Sequence, residues 1–492
     1  MRRPGSLPIC ASSVPGTSVG RTLAATGVRT GHAAQRATIE APSSRCAAHD
    51  RGGSVLTAKP AAVPPSALDA EGLAEVRRIG NADLMVGIPS FDNAETIGYV
   101  VRATTAGMVQ YFPEMKPILV NSDGGSPDNT PRVAVTTESP DYLEKIILVS
   151  PKHKLQRITF TYQGTSGKGT AVRALFEVAR ELKVKAMVMV DSDLRSIVPE
   201  WVELLAGPIL KGGYDFVTPL YARYKYDGTI TNNISYPLTR ALYGTRIRQP
   251  IGGDFGVSGD LVSRYMELDT FDELTARFGI DVWMTHSAIN EGFAVCQARL
   301  GAKIHDAKDP AGDLGPMFRQ VVGTLFKLAG RYEDRWMRVK GSHTIPEYGF
   351  ERVVAPEEVT VNHAKLIDNF EQARLTQHDA WAEMLSDEQL ERVMGLGLDG
   401  QPSDFRFSAE LWIRCLYDAL VAFHAPGADR ERLLAALTPL YFGRTAGFIS
   451  DTLDMTTDQA ERVIDDQARQ FEELKPYLVA RWQEMRASGE PS

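Results

Sequence analysis

Cysteine is scarce: Cys10, Cys46, Cys296 and Cys415 are the only four in 492 residues. They lack the spacing of a metal site and are too scattered for a disulfide framework, which implies a reducing compartment. Long apolar runs are missing too. None approaches the roughly 18 residues of a membrane-crossing helix, so no membrane span is expected. Nor is positive charge in surplus, with 54 Lys and Arg against 62 Asp and Glu, a net charge of -8. That argues against nucleic acid as the main partner, because phosphate backbones require basic faces, although a local basic cleft for a nucleotide is still allowed. Acidic residues are absent before Glu40. Residues 1–80 are rich in Ser, Ala, Gly, Pro and Arg and show no sustained period, the composition of a disordered leader. An organelle transit peptide or a mis-set start codon would look the same, whereas the missing apolar core of about seven residues disfavours a secretory signal. The expected location is cytoplasmic, or an organelle if that leader is a transit peptide.

What is present is an ordinary globular composition, 43% apolar and 24% charged, on a chain long enough for two or three folded units. The central stretch is Ala186 to Leu194. The run Ala186-Met187-Val188-Met189-Val190 has the length and apolar continuity of a strand covered on both faces, and it ends in Asp191-Ser192-Asp193. Ligands in open α/β sheets collect outside the carboxyl ends of such strands. Two hard oxygen ligands there suit Mg²⁺ or Mn²⁺ bridging to phosphate far better than zinc. Taken alone, the pair reads more readily as an Asp-rich strand-end turn with a helix cap.

Around it, strands and helices alternate. Leu84 to Ile88 reads as a strand, followed by a polar loop and a helix beginning near Ala94. Pro117 to Val120 is a second strand, broken by Asn121-Ser122-Asp123-Gly124-Gly125, and Lys145 to Val149 a third. Gly167-Lys168-Gly169 opens a helix whose apolar positions Val172, Leu175, Val178, Ala179 and Leu182 follow the 3.6 period. This is no Walker A loop, since the required first glycine falls at Tyr162 and Gly169 stands where Ser or Thr is needed. What remains is a lysine at a helix N-terminus, where N–H groups and a cation can both meet phosphate. Asp215 to Leu220 is a further strand, running into the basic and aromatic patch Tyr221 to Asp227. Gln249 to Asp254 and Gly279-Ile280-Asp281 are turns, the latter opening the helix that holds His286, read as structural. Phe293 to Leu300 is a strand that delivers Lys303-Ile304-His305-Asp306. The order predicts a parallel, doubly wound sheet.

The ordered set Pro89-Ser90 with Glu95, Ser122-Asp123-Gly124, Gly167-Lys168-Gly169, Asp191-Ser192-Asp193, Gly252-Gly253-Asp254, Gly279-Ile280-Asp281 and His305 resembles the GT-A glycosyltransferases that make glucosylglycerate, glucosyl-3-phosphoglycerate and mannosylglycerate. The resemblance spans about Leu84 to Gly330. It implies the GT-A fold over residues 81–330, a doubly wound, mostly parallel α/β sheet, ahead of an all-helical region over 331–492. By position it places Pro89, Ser90, Glu95, Ser122, Asp123 and Lys168 on the nucleotide, Asp191 and Ser192 beside it, and the metal, Mg²⁺ or Mn²⁺, on Asp193 and His305. Gly252, Gly253, Asp254 and Asp281 would line the sugar and acceptor pocket, with Asp193, Asp254 and Asp281 carrying the chemistry.

The implied reaction moves glucose or mannose from an NDP-hexose to D-glycerate or a related small hydroxy acid, with retention, giving a compatible solute; a homo-oligomer is compatible with it. Relatives that use phosphoglycerate carry paired arginines where this chain has Arg223 and Lys225 among tyrosines, which leans the reading toward glycerate. The first loop, Asp92-Asn93-Ala94-Glu95, and Gly-Gly-Asp in place of Gly-Gly-Glu also depart from the pattern. Two other classes stay open: an inverting family 2 transferase acting on a glycan or lipid, and a nucleotide-sugar sensor without activity. Beyond Gly330, amphipathic helices are expected at Leu366 to Leu385, Asp387 to Met394, Ala409 to Phe423, Arg430 to Leu440 and Thr457 to Trp482. Pro402, Pro426 and Pro439 punctuate them, and Tyr332 to Gly349 is expected to form a loop over the site.

Overall fold

The computed structural model describes residues 66–138, 152–305, 314–351, 356–397 and 400–489. In chain order the strands are β1 (Leu84–Ser90), β2 (Pro117–Asp123), β3 (Gln156–Thr161), β4 (Ala186–Met189), β5 (Phe216–Ala222), β6 (Thr245–Arg246), β7 (Phe255–Ser258), β8 (Val295–Ala302), β9 (His343–Thr344) and β10 (Glu347–Tyr348). Eight of them form one sheet in the order β10-β8-β5-β7-β4-β1-β2-β3, and β6 pairs separately with β9. Every pairing in the large sheet is parallel except the two made by β7, which runs antiparallel to both β4 and β5.

The side-chain period of two explains why β1 and β4 are apolar throughout. Met85 and Met187 point into a cluster with the helices Lys168–Glu181 and Ile280–Asn290. Leu84, Val86, Ala186 and Val188 point the other way, onto the helices Ile97–Tyr111 and Glu200–Gly212. The doubly wound, mostly parallel sheet is therefore present, with both faces covered.

Several expectations are corrected. The strand expected at Lys145 to Val149 lies outside the described residues, among which the strand after β2 is Gln156–Thr161. The leader was drawn to residue 80, but Ala70–Ile79 is a helix, its N-terminus capped by Asp69 accepting from the Gly72 N–H at 2.7 Å. Tyr332 to Gly349 does not cover the cleft. It holds β9 and β10, and β10 extends the sheet edge beside β8. Pro439 sits inside the helix Arg430–Thr452 instead of ending it. The last long helix is two, Thr457–Glu473 and Lys475–Gly489, parted at Leu474. Among the described residues no helix is long and apolar enough to cross a membrane.

The helical region shares one apolar core with elements of the sheet region, running from Tyr226 and Ile234 through Phe318 to Trp412 and Trp482. Phe318 stacks on Tyr441 with centroids 4.7 Å apart, and Trp412 Nε1 donates to the Asn233 carbonyl at 2.9 Å.

Candidate active site

The carboxyl ends of β1, β4, β5 and β8, with the start of β7, surround a cleft of about 610 Å³. Pro89, Ser90, Lys168, Asp191, Ser192, Asp193, Arg223, Gly252, Gly253, Asp281 and His305 all line it. Residues up to 216 positions apart in the sequence are thus brought together by one sheet edge, Pro89 on β1 and His305 beyond β8.

At its floor lies a charged network. Asp191 Oδ1 accepts from Lys168 Nζ at 2.8 Å and its Oδ2 from Lys303 Nζ at 2.8 Å, while the Asp191 N–H donates to Asp254 Oδ1 at 2.8 Å. Lys303 also donates to Asp254 Oδ2 at 3.0 Å and to the Gly252 carbonyl at 2.8 Å. Lys168 Nζ reaches Asp281 at 3.2 Å, and the Gly253 N–H donates to Asp281 Oδ2 at 2.9 Å. Gly253 is required here twice over: its φ is +83°, and a Cβ would fall 1.9 Å from Asp191 Oδ2.

Burial opposes every charge in this network, and the balance differs from group to group. Asp191 is desolvated, yet two lysines hold its carboxyl far below the usual range. Burial would lower Lys168 and Lys303, but the surrounding carboxylates overcome it and raise both. Asp281 is raised, by burial first and by Asp191 next, against the pull of Lys168. The lysine's charge is committed mainly to Asp191.

A stability prediction follows from these signs. With a folded pKa below its unfolded value near 3.9, Asp191 contributes stability that is complete above about pH 4 and is lost as pH falls through the depressed value, about 1.4 kcal/mol for each unit of depression. Lys168, raised, contributes below about 10.4 and loses that contribution only as pH rises through its folded value. Chemical unfolding between pH 5 and 2 should therefore show a shallower acid loss in Asp191→Asn than in the wild type, whatever the variant's starting stability. Parallel acid limbs would reject this assignment.

Asp193 is different. It makes no hydrogen bond to any described residue, and its pKa is raised by burial and then by the neighbouring Asp191 carboxylate. His305 is its counterpart: Nε2 is buried without a hydrogen-bond partner among the described residues, 3.9 Å from Asp227 Oδ2. Burial acts against the Asp227 carboxylate, but Arg223 and His305 draw its pKa below the ordinary range. Ser192 anchors the stretch from behind, donating through Oγ to Asn93 Oδ1 at 2.7 Å, while its carbonyl accepts from Thr96 Oγ1 at 2.9 Å.

Four expected site residues do not line the cleft. Glu95 is exposed on the loop before the helix Ile97–Tyr111. Ser122 is fully buried within β2. Asp123 is buried and spends its carboxylate on Ser90 Oγ, the Gly125 and Ser126 N–H groups and Ser126 Oγ, which fixes the turn after β2. Asp254 is sealed behind Tyr221, whose hydroxyl donates to it, and so acts on the cleft only through Asp191 and Lys303. Conversely, Lys303, Asp227 and Tyr221 were given no role in the sequence.

Lys225, paired with Arg223 in the sequence, turns away from the cleft. Its ammonium donates to the carbonyls of Thr452, Leu453 and Met455 at 2.8, 3.0 and 2.7 Å, capping the end of the helix Arg430–Thr452. Lys225→Met should cost about 2 kcal/mol in chemical denaturation. A loss below a few tenths would show that these bonds contribute nothing to stability.

No family model matches the chain, and no curated protein matches it in sequence. Among solved structures it is similar to glucosyl-3-phosphoglycerate synthase from Mycobacterium tuberculosis in complex with phosphoglyceric acid, at 22% identity over 54% of this chain and 86% of that one, with a TM-score of 0.40. The same synthase in complex with Mg²⁺ and uridine-diphosphate matches at 22% identity over 52% and 83%, TM-score 0.39. A mycobacterial protein matches at 25% identity over 54% and 80%, TM-score 0.38. TM-scores of this size leave the function to be read from the side chains.

Proposed function

We propose that this protein is a metal-dependent glycosyltransferase that moves a hexose from a nucleoside-diphosphate sugar to a small hydroxy acid, with retention. One observation carries the reading: at the carboxyl edge of the sheet, Asp191 is locked between two lysines while Asp193 and His305 face the same cleft with their donor atoms free of hydrogen bonds to described residues. Two protein donors, with phosphate oxygens and water completing the shell, are the ligand set Mg²⁺ or Mn²⁺ takes when it binds together with a nucleotide. Among the described residues no three His, Cys, Asp or Glu side chains gather into a cage that would hold a metal unaided. The metal, held by Asp193 and His305, would supply Lewis-acid stabilisation of the leaving diphosphate.

The chain's own groups do the rest. Pro89, Ser90 and the Gly167-Lys168 turn border the end of the cleft that would receive the nucleotide. Lys168, at the N-terminus of its helix, keeps a cation and N–H dipoles beside the phosphates. During transfer the bond from the sugar C1 to the diphosphate oxygen breaks as C1 bonds to the acceptor hydroxyl oxygen. The hydroxyl proton passes to the departing phosphate oxygen.

An inverting route would need a free carboxylate as base near the acceptor. Asp254 is sealed, Asp281 is held by Lys168 and the Gly253 N–H, and Asp227 is beside Arg223 at 3.6 Å. Asp281 is the cleft carboxylate nearest to such a base, but it faces Lys168 at 3.2 Å, and Asp193 is committed to the metal in this reading, which favours retention.

The test is nucleotide release from NDP-glucose and NDP-mannose with Mg²⁺, with D-glycerate and 3-phosphoglycerate offered separately. Acceptor-dependent release and a retained anomer are expected. Failure to bind any nucleotide sugar, measured by calorimetry, would remove the reading altogether.

A further inference from the structure

The same cleft is lined by the loop Arg223 to Thr231 and by the first turns of the helix Leu314–Arg331. The two sides are fixed against each other through the helical region: Thr229 Oγ1 meets the Tyr441 hydroxyl, and the Tyr441 ring stacks on Phe318. The surface so formed is mixed, with an apolar group beside Tyr226, Asp227 and Thr231. Ile230, Ile251, Leu314, Met317 and Val321 all line it, and the one hydroxyl that Thr229 could offer is already used by Tyr441.

Its charge is equally informative. Among the described residues the cation on this wall is Arg223, with Nε buried and unbonded and its guanidinium 3.6 Å from Asp227. Lys225, which the sequence placed beside it, caps a helix instead. Lys168 and Lys303 are each held by two aspartates. One half-neutralised guanidinium suits a single carboxylate and leaves a doubly charged phosphate unmatched. A three-carbon polyhydroxy acid would in turn leave the exposed flanks of Ile251 and Met317 against water.

Building on the glycosyltransferase reading, we infer that the acceptor is an unphosphorylated hydroxy compound with at most one negative charge and an apolar body. Its carboxylate sits at Arg223, its hydroxyl faces the sugar, and its apolar part lies on Met317 and Val321. Leu314 and Ile230 close the far side.

The experiment uses the full chain with Mg²⁺ and the better NDP-hexose. Four acceptors are compared by kcat/KM: D-glycerate, 3-phosphoglycerate, D-3-phenyllactate and D-2-hydroxyisocaproate. The last two are expected to exceed glycerate by about tenfold or more, the scale of an apolar group finding its pocket. Val321→Ser should narrow that ratio and raise KM for phenyllactate more than for glycerate. Met317→Gln is the second variant should Val321→Ser fold poorly, and circular dichroism and donor binding report folding in both. Glycerate or 3-phosphoglycerate matching or exceeding the apolar acceptors would overturn the inference and leave the transferase standing. Turnover of none of the four with donor binding intact would also overturn it. Loss of donor binding in the wild type would remove the transferase reading itself, and the inference with it.

Discussion

Asp193→Ala should cut hexose transfer by about 10³-fold or more, the scale seen when one group stabilising developing charge is removed, and abolish Mn²⁺ binding measured by electron paramagnetic resonance in the presence of nucleotide. It should not destabilise the fold. The carboxylate makes no hydrogen bond to a described residue, and it stands beside Asp191, whose charge it feels as repulsion. Removing it relieves that repulsion, so unfolding free energy should hold or rise by a few tenths of a kcal/mol, as at other sites where function is kept at a cost in stability. His305→Ala should weaken the metal in the same assay. A folded Asp193→Ala variant with full activity would dismiss Asp193 as the ligand, and a variant that unfolds would mark it as structural.

Lys303→Met is expected to do the reverse. This side chain is 4% exposed and sits between Asp191 and Asp254, 2.8 and 3.0 Å away, with Asp254 itself completely buried. Replacing the ammonium by a thioether leaves Asp254 buried without its cation and Asp191 with Lys168 alone, a loss of about 3–5 kcal/mol by the measure of broken buried ion pairs. Chemical denaturation would read it directly. The double variant Lys303→Met with Asp254→Asn should recover part of the loss, since one orphaned charge is gone, and the non-additivity in the cycle would measure the coupling. Additive effects would mean that Lys303 stabilises the fold by packing, independently of these carboxylates.

These two residues also mark what the sequence could and could not disclose. Asp193 was legible because a continuous apolar strand ending in carboxylates is a local pattern, and β4 is apolar and buried along its whole length. β1 and β2 are likewise buried runs, and β8, only partly buried, was also placed within a few residues of its observed bounds. β3 was missed because it is an edge strand: only Ile158 is buried in Gln156–Thr161, so there is no apolar run to see. Lys303 was passed over because a lone lysine after a strand reads as solvated. The available signal was the carboxylates, since Asp191, Asp254 and Asp281 at strand ends and turns demand buried cations. Lys225 looked like part of an anion site, and only the tertiary fold reveals that it is consumed by three carbonyls. Asp254 and Asp123 lay in plausible positions, but a motif does not say which way a side chain faces.

β7 runs against its neighbours, and it carries Gly253 and Asp254 from the opposite direction to the place where β4 delivers Asp191. The loop 223–231 that leads away from β5 is fastened to helices more than 200 residues later. The loop 223–231 is thus held by contacts with residues 441–455, whereas the charged floor is complete once Lys303 is in place. On a ribosome, a nascent chain that has already completed β1 to β5 still has no active centre. If the cleft is the active centre proposed above, the intactness of the helices that hold loop 223–231 becomes a condition of substrate binding as well as of stability.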